Sequence, residues 1–256
     1  MLRYVFCCLL IAAGVATSPA AAQTGKAAGC NGLPLFGSDD SLNTADLQVA
    51  NKDLRIQVNT EGFALRLRLE PEPGWKPVAS DGSTSGAVLR RVGWIRVFTC
   101  DTGVPLQSLE VESSTDPGMF LRFFEVKDVN FDGSLDIGVL REFGAKWGAQ
   151  TWWVWDPGSR RFVSNEFTKA LEQVTSNGLA LDTAQHNIIA GHLTDSTGCG
   201  PTKDIYHVEG QRLVPIHEED ISVGPDGCTL TTLDWVHGSM QRSDVRRFPG
   251  LPGSHP

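Results

Sequence analysis

After its first two dozen residues the chain has no apolar run near the ~20 residues that a membrane-spanning helix requires, so no membrane span is expected. It has no C-x-x-C pair, which removes the usual thiolate metal sites. It also lacks a G-x-S-x-G elbow, an H-E-x-x-H helix and the glycine patterns of nucleotide-binding loops. No catalytic class announces itself, and the chain reads as a non-enzyme. The histidines, His186, His192, His207, His217, His237 and His255, show no metal-ligand spacing. No internal repeat is visible, which argues against a propeller of near-identical blades. Positive charge is scarce: 22 Lys and Arg stand against 30 Asp and Glu, a net charge of −8. An acidic surface repels nucleic acid and anionic lipid and suits a basic partner.

What is present begins with a tripartite leader. Met1-Leu2-Arg3 precedes a mostly apolar stretch from Tyr4 to Val15, and Ala20-Ala21-Ala22 supplies small residues before Gln23. Residues 1–22 read as a secretory signal peptide, which predicts a periplasmic or secreted protein. Cys7 and Cys8 would leave with it. Four cysteines remain, Cys30, Cys100, Cys199 and Cys228, an even number that suggests disulfides in an oxidising compartment. Of three possible pairings, the favoured set joins Cys199 to Cys228 across a hairpin and Cys30 to Cys100.

Residues 23–53 show no sustained period and read as a flexible mature N-terminus. Leu54, Ile56 and Val58, then Phe63, Leu65, Leu67 and Leu69, alternate with mainly polar residues, predicting two half-buried strands in a hairpin. Further short strands are expected at Trp94–Phe98, Leu106–Val111, Met119–Val126, Thr151–Trp155, Arg161–Val163, Ile205–Val208, Arg212–Ile216 and Cys228–Leu233. One short helix is expected, capped by Ser164, with Phe167, Leu171 and Val174 at helical spacing. The fold class is therefore all-β, many short antiparallel strands, as one domain over 54–245 followed by a disordered tail over 246–256. His217-Glu218-Glu219-Asp220 reads as a solvated loop.

The most specific pattern is Asp128-Val129-Asn130-Phe131-Asp132-Gly133-Ser134-Leu135-Asp136. Oxygen side chains fall at positions one, three, five and nine, and Gly133 permits a sharp turn. Such spacing suits Ca²⁺, which takes six to eight oxygens. Asp128, Asn130, Asp132 and Asp136 are the candidate ligands, with Ser134 offering its backbone carbonyl. Position twelve is Val139 inside a strand-like run, so this is not an EF-hand. A metal-free Asp/Asn turn is the alternative.

Trp152 and Val154 would share one strand face and Trp153 and Trp155 the other, so at least one face is core, and the other could serve as a carbohydrate platform. From Glu142 to Gln150, glycines flank a Lys146-Trp147 tip. The segment reads either as a protruding recognition loop or as a strand connection with Trp147 folded back on the core.

Leu106-Gln107 after Asp101-Thr102-Gly103, then Asn130-Phe131-Asp132-Gly133 with Asp136-Ile137, then Trp152 to Asp156 with Arg161-Phe162-Val163, occur in an order that resembles one family. These are the periplasmic immunity proteins that inhibit secreted lysozyme-like effectors, and the resemblance spans roughly Trp94 to Pro215. It implies a β-propeller-like scaffold with a calcium loop, ligated through Asp128, Asn130, Asp132 and Asp136, and a peptidoglycan hydrolase as protein partner. Ser134 stands where an aromatic is common in the family, and the extra cysteines and the long C-terminal extension also depart from it. The other readings are an exported carbohydrate- or cell-surface-binding module, and a hydrolase whose site assembles only in three dimensions.

Overall fold

Apolar alternation along Asp53–Gln57 (β3) and Ala64–Pro71 (β4) buries Leu54, Ile56, Leu65, Leu67 and Leu69 completely or nearly so. Asp53, Arg55, Arg66 and Arg68 face outward, where Arg68 clasps Asp53 through two hydrogen bonds of 2.9 and 3.1 Å. The computed structural model describes residues 30–36, 40–42, 53–59, 62–71, 92–111, 124–143, 148–192, 199–224 and 227–249. The expected leader lies outside them. Val92–Thr99 (β5) and Pro105–Glu110 (β6) extend the first sheet, and Leu35–Phe36 (β1) adds to β3 in parallel. Cys30 is bonded to Cys100 and tethers the chain before β1 to the end of β5.

The second sheet contains Asp40–Leu42 (β2), Phe124–Lys127 (β7), Asp136–Phe143 (β8), Gly148–Asp156 (β9) and Arg161–Val163 (β10), in the order β10-β9-β8-β7-β2. It is buried on both sides. Trp153, Trp155, Ile137, Val139 and Phe162 meet the apolar face of the first sheet in one core. Trp152 and Val154 join Phe167, Leu171, Ile188 and Val208 in a second. No tryptophan of β9 is free to serve as a glycan platform, because a sheet between two layers has no solvent face.

The third sheet is a six-stranded meander: Leu179–Asp182 (β11), Asn187–His192 (β12), Thr202–Glu209 (β13), Arg212–Gly224 (β14), Gly227–Val236 (β15) and Ser239–Phe248 (β16). A buried Lys127 ties the second sheet to it, pairing with the fully buried Glu125 at 3.0 Å and donating to the carbonyl of Leu179. The single described helix, Glu166–Leu171 (α1), packs Phe167 and Leu171 into the second core. The fold is thus all-β, three sheets antiparallel apart from the β1–β3 contact.

Several elements depart from the sequence reading. Asn165, not Ser164, caps α1: its side chain accepts from Thr168 N at 3.0 Å while Thr168 Oγ1 accepts from Asn165 N at 2.9 Å, a reciprocal box. His217 to Asp220 are not a loop but lie within β14, hydrogen-bonded to β15. Strands β11, β12 and β16 carry no clean alternation and have no counterpart among the strand ranges read from the sequence. β1 and β2 fall within residues 23–53, and β16 continues to Phe248, past the expected domain boundary at 245. Cys199 is bonded to Cys228 across the β13-β14-β15 meander rather than one hairpin, since Cys199 precedes β13 and Cys228 sits in β15.

Candidate functional site

The Asp128–Leu135 segment joins β7 to β8 and is organised by its own side chains. Asp128 Oδ1 accepts from Asp132 N at 3.1 Å, and its Oδ2 accepts from Gly133 N at 2.9 Å. Asn130 Oδ1 accepts from the same Asp132 N at 3.2 Å, and Asn130 Nδ2 donates to Asp132 Oδ2 at 2.9 Å. Asp132 Oδ1 accepts from Ser134 N at 2.8 Å. Curling the backbone this tightly places Phe131 at φ 57° and Gly133 at φ 87°, the left-handed region that glycine enters without strain. Asp128, Asn130 and Asp132 are therefore gathered at one loop.

Asp136 takes no part in these loop hydrogen bonds. It is fully buried, its Oδ2 accepting from Val129 N at 3.0 Å and its Oδ1 from Trp155 N at 2.8 Å. Burial pushes its carboxyl up to about 8, with the charges of Asp132 and Asp128 adding to the rise and the two amides opposing it. Burial also raises Asp128, and Asp132 adds to that shift. Among the described residues, no cluster of three or more His, Cys, Asp or Glu is placed to hold a metal ion. The donor set itself, two carboxylates, an amide oxygen and loop carbonyls, is that of a hard cation. Each carboxylate offers about four acceptor positions, so the loop amides leave capacity on Asp128 and Asp132.

The loop meets all three sheets. Leu135 N donates to Val58 O, beyond β3, at 3.0 Å. Phe131 stacks on His186, in the β11–β12 turn, with centroids 5.1 Å apart and planes inclined by 7°. Val129 is fully buried in the second core, and Asp136 holds β9 through Trp155. Gln107 supplies a second strut. Its side chain donates to Phe162 O at 2.7 Å and accepts from Phe162 N at 3.0 Å, joining β6 to β10. The Leu106-Gln107 and Arg161-Phe162 pairs, far apart in sequence, are thus one contact between sheets.

Lys146 and Trp147 lie outside the described residues. Gly148, the first residue of β9, exchanges backbone hydrogen bonds of 2.7 and 2.8 Å with Ser176. The sequence reading missed an acidic groove of about 290 Å³ on the third sheet, lined by His192, Thr202, Asp204, Glu218, Asp220 and Ile221 among others. His192 Nε2 lies 2.9 Å from Asp204 Oδ2. Nearby His217 bridges Asp234 at 2.6 Å and Glu219 at 3.3 Å. The hydroxyl of Ser243, then His217, holds Asp234 below the usual carboxylate range, and burial pushes Tyr206 up to about 12. These groups come together only through strand register, which residue spacing does not display.

No family model matches the chain, and no curated protein does. Among solved structures it is similar to a Xanthomonas type IV secretion system related protein, at 14% sequence identity and a TM-score of 0.48, over 77% of this chain and 96% of that one.

Proposed function

We propose that the chain is an exported, calcium-stabilised binding protein of the immunity type, which blocks a lysozyme-like peptidoglycan hydrolase without chemistry of its own. The observation that carries this reading is the oxygen-rich loop at the meeting point of three sheets, a device for rigidity rather than turnover. Asp128, Asn130 and Asp132 would hold the ion with the Ser134 carbonyl and water, while Asp136 anchors the loop to β9. The ion would supply neutralising charge to carboxylates that burial and mutual repulsion disfavour. The two disulfides fit a compartment outside the reducing cytoplasm.

A scaffold stiffened in this way presents its loops already ordered, so less contact energy is lost to ordering them on binding. Lys146 and Trp147, which fall between β8 and β9 in the chain, are the proposed contact with the substrate cleft. The net charge of −8 favours encounter with a basic enzyme. Pull-down from periplasmic and culture-supernatant fractions, followed by an assay of lysozyme-type activity, tests the reading. Capture of a peptidoglycan hydrolase that is slowed at micromolar concentration supports it. Failure to capture or slow any hydrolase removes it.

A further inference from the structure

β14 outruns its neighbour: its register with β13 ends at Asp204 opposite Glu218, while residues Glu219 to Gly224 pair with β15 alone. Neither hydrophobic core contains a residue of β15 or β16. Of the six large hydrophobic residues exposed among those described, Val223, Trp235, Val236 and Val245 lie on this three-stranded ribbon, Trp235 and Val245 on one face and Val223 and Val236 on the other. A sheet with apolar residues that no described element covers is a surface for association.

The register orders one of its faces. Glu218 lies opposite Leu233, which lies opposite Arg242. The next rows are Asp220, Thr231 and Val245, then Ser222, Thr229 and Arg247. Acids therefore run along β14, apolar and Thr residues along β15, and arginines along the β16 edge, with Trp235 and Met240 paired beyond. Glu218 and Arg242 stand about 10 Å apart, two strand spacings, too far to pair with each other. Glu218 instead faces Asp204, a like charge already taken by His192.

We propose that this face is the interface of a homodimer, two copies stacking ribbon on ribbon about a two-fold axis that runs parallel to the strands above β15. Rotation about that axis carries β14 of one copy over β16 of the other. Each Glu218 then meets the other copy's Arg242 in the same row, and Leu233 meets Leu233. A two-fold axis across the strands would instead set acid on acid. The self-complementary charge pattern selects a second copy as the occupant, because a basic partner would oppose the arginines and an acidic one Glu218 and Asp220. Three strands of ten residues or so span about 14 by 34 Å, near the lower limit for a stable pair, so dissociation in the micromolar range is expected.

Sedimentation velocity of the disulfide-intact chain from about 1 to about 200 µM tests this. The unaltered chain is expected to dimerise. Glu218→Arg or Arg242→Glu alone changes two contacts per dimer and is expected to weaken it at least about tenfold. The double variant restores dimers, and a 1:1 mixture of the single variants forms heterodimers. Far-UV circular dichroism checks folding, and hydroxyl-radical footprinting of the unaltered chain needs no substitution: Trp235 and Met240 lose reactivity as concentration rises. A monomer at every concentration, dimers indifferent to both reversals, no rescue in the swap or the mixture, or unchanged footprints would each overturn the proposal.

Discussion

Gly138 sits where no side chain fits. A Cβ built there would stand 2.7 Å from three atoms of the Trp152 ring, the residue opposite it on β9. Trp152 is itself fully buried in the second core, so it has no free volume to move into. Gly138→Ala is expected to lower stability by about 1–3 kcal/mol, read by urea titration at constant slope. A variant within about 0.5 kcal/mol of the parent would show that the indole has room to give. Such a position is invisible in the sequence, where Ile137-Gly138-Val139 reads as a strand with a weak point. By contrast Leu54, Ile56, Leu65, Leu67 and Leu69 were legible as core, because alternation records which side of a strand is buried.

At the scale of elements, the Asp128–Asp136 segment was legible as a tight, side-chain-organised turn, but its wiring was not. Spacing offers Asp128, Asn130, Asp132 and the Ser134 carbonyl as ligands, with Asp136 bound directly or through a water; in the structure hydrogen bonds within the loop link Asp128, Asn130 and Asp132, while Asp136 accepts from the amides of Val129 and Trp155. Sequence distance hides the Trp155 partner. The consequence is measurable in chelator. The Asp136 carboxyl, ordinarily near 3.8, is raised to about 8, so the folded state keeps a proton that the unfolded chain has released. Its contribution is complete below about pH 4 and is lost as pH rises towards about 8. The lowered carboxyls of Asp53, Asp101, Asp156 and Asp234 change stability only at lower pH, where they become protonated. Chelated protein is therefore expected to melt progressively lower from pH 5 to pH 8, and saturating Ca²⁺ to reduce that slope. A chelated profile that is flat or rises over the same range would contradict the assignment.

For the whole molecule, three successive meanders stack so that the middle sheet is core on both faces, and the Asp128–Leu135 loop touches all three. The all-β class was legible because turn residues punctuate short apolar runs. Strands β11, β12 and β16 were not, since Leu179-Ala180-Leu181-Asp182 and Ser239-Met240-Gln241-Arg242 owe their pairing to neighbours rather than to pattern. The helix cap was misplaced by one residue because Ser164 and Asn165 both have capping side chains and only packing decides between them. The proposal that a cation locks the loop and with it the three sheets is tested most directly by thermal melts in calcium and in chelator. At calcium one hundred times its dissociation constant the gain is about 2.7 kcal/mol, or a rise in Tm of about 5–10 °C for a domain of this size. Asp128→Asn combined with Asp132→Asn is expected to abolish the rise. Coincident melts of the unaltered protein with and without calcium would contradict the proposal.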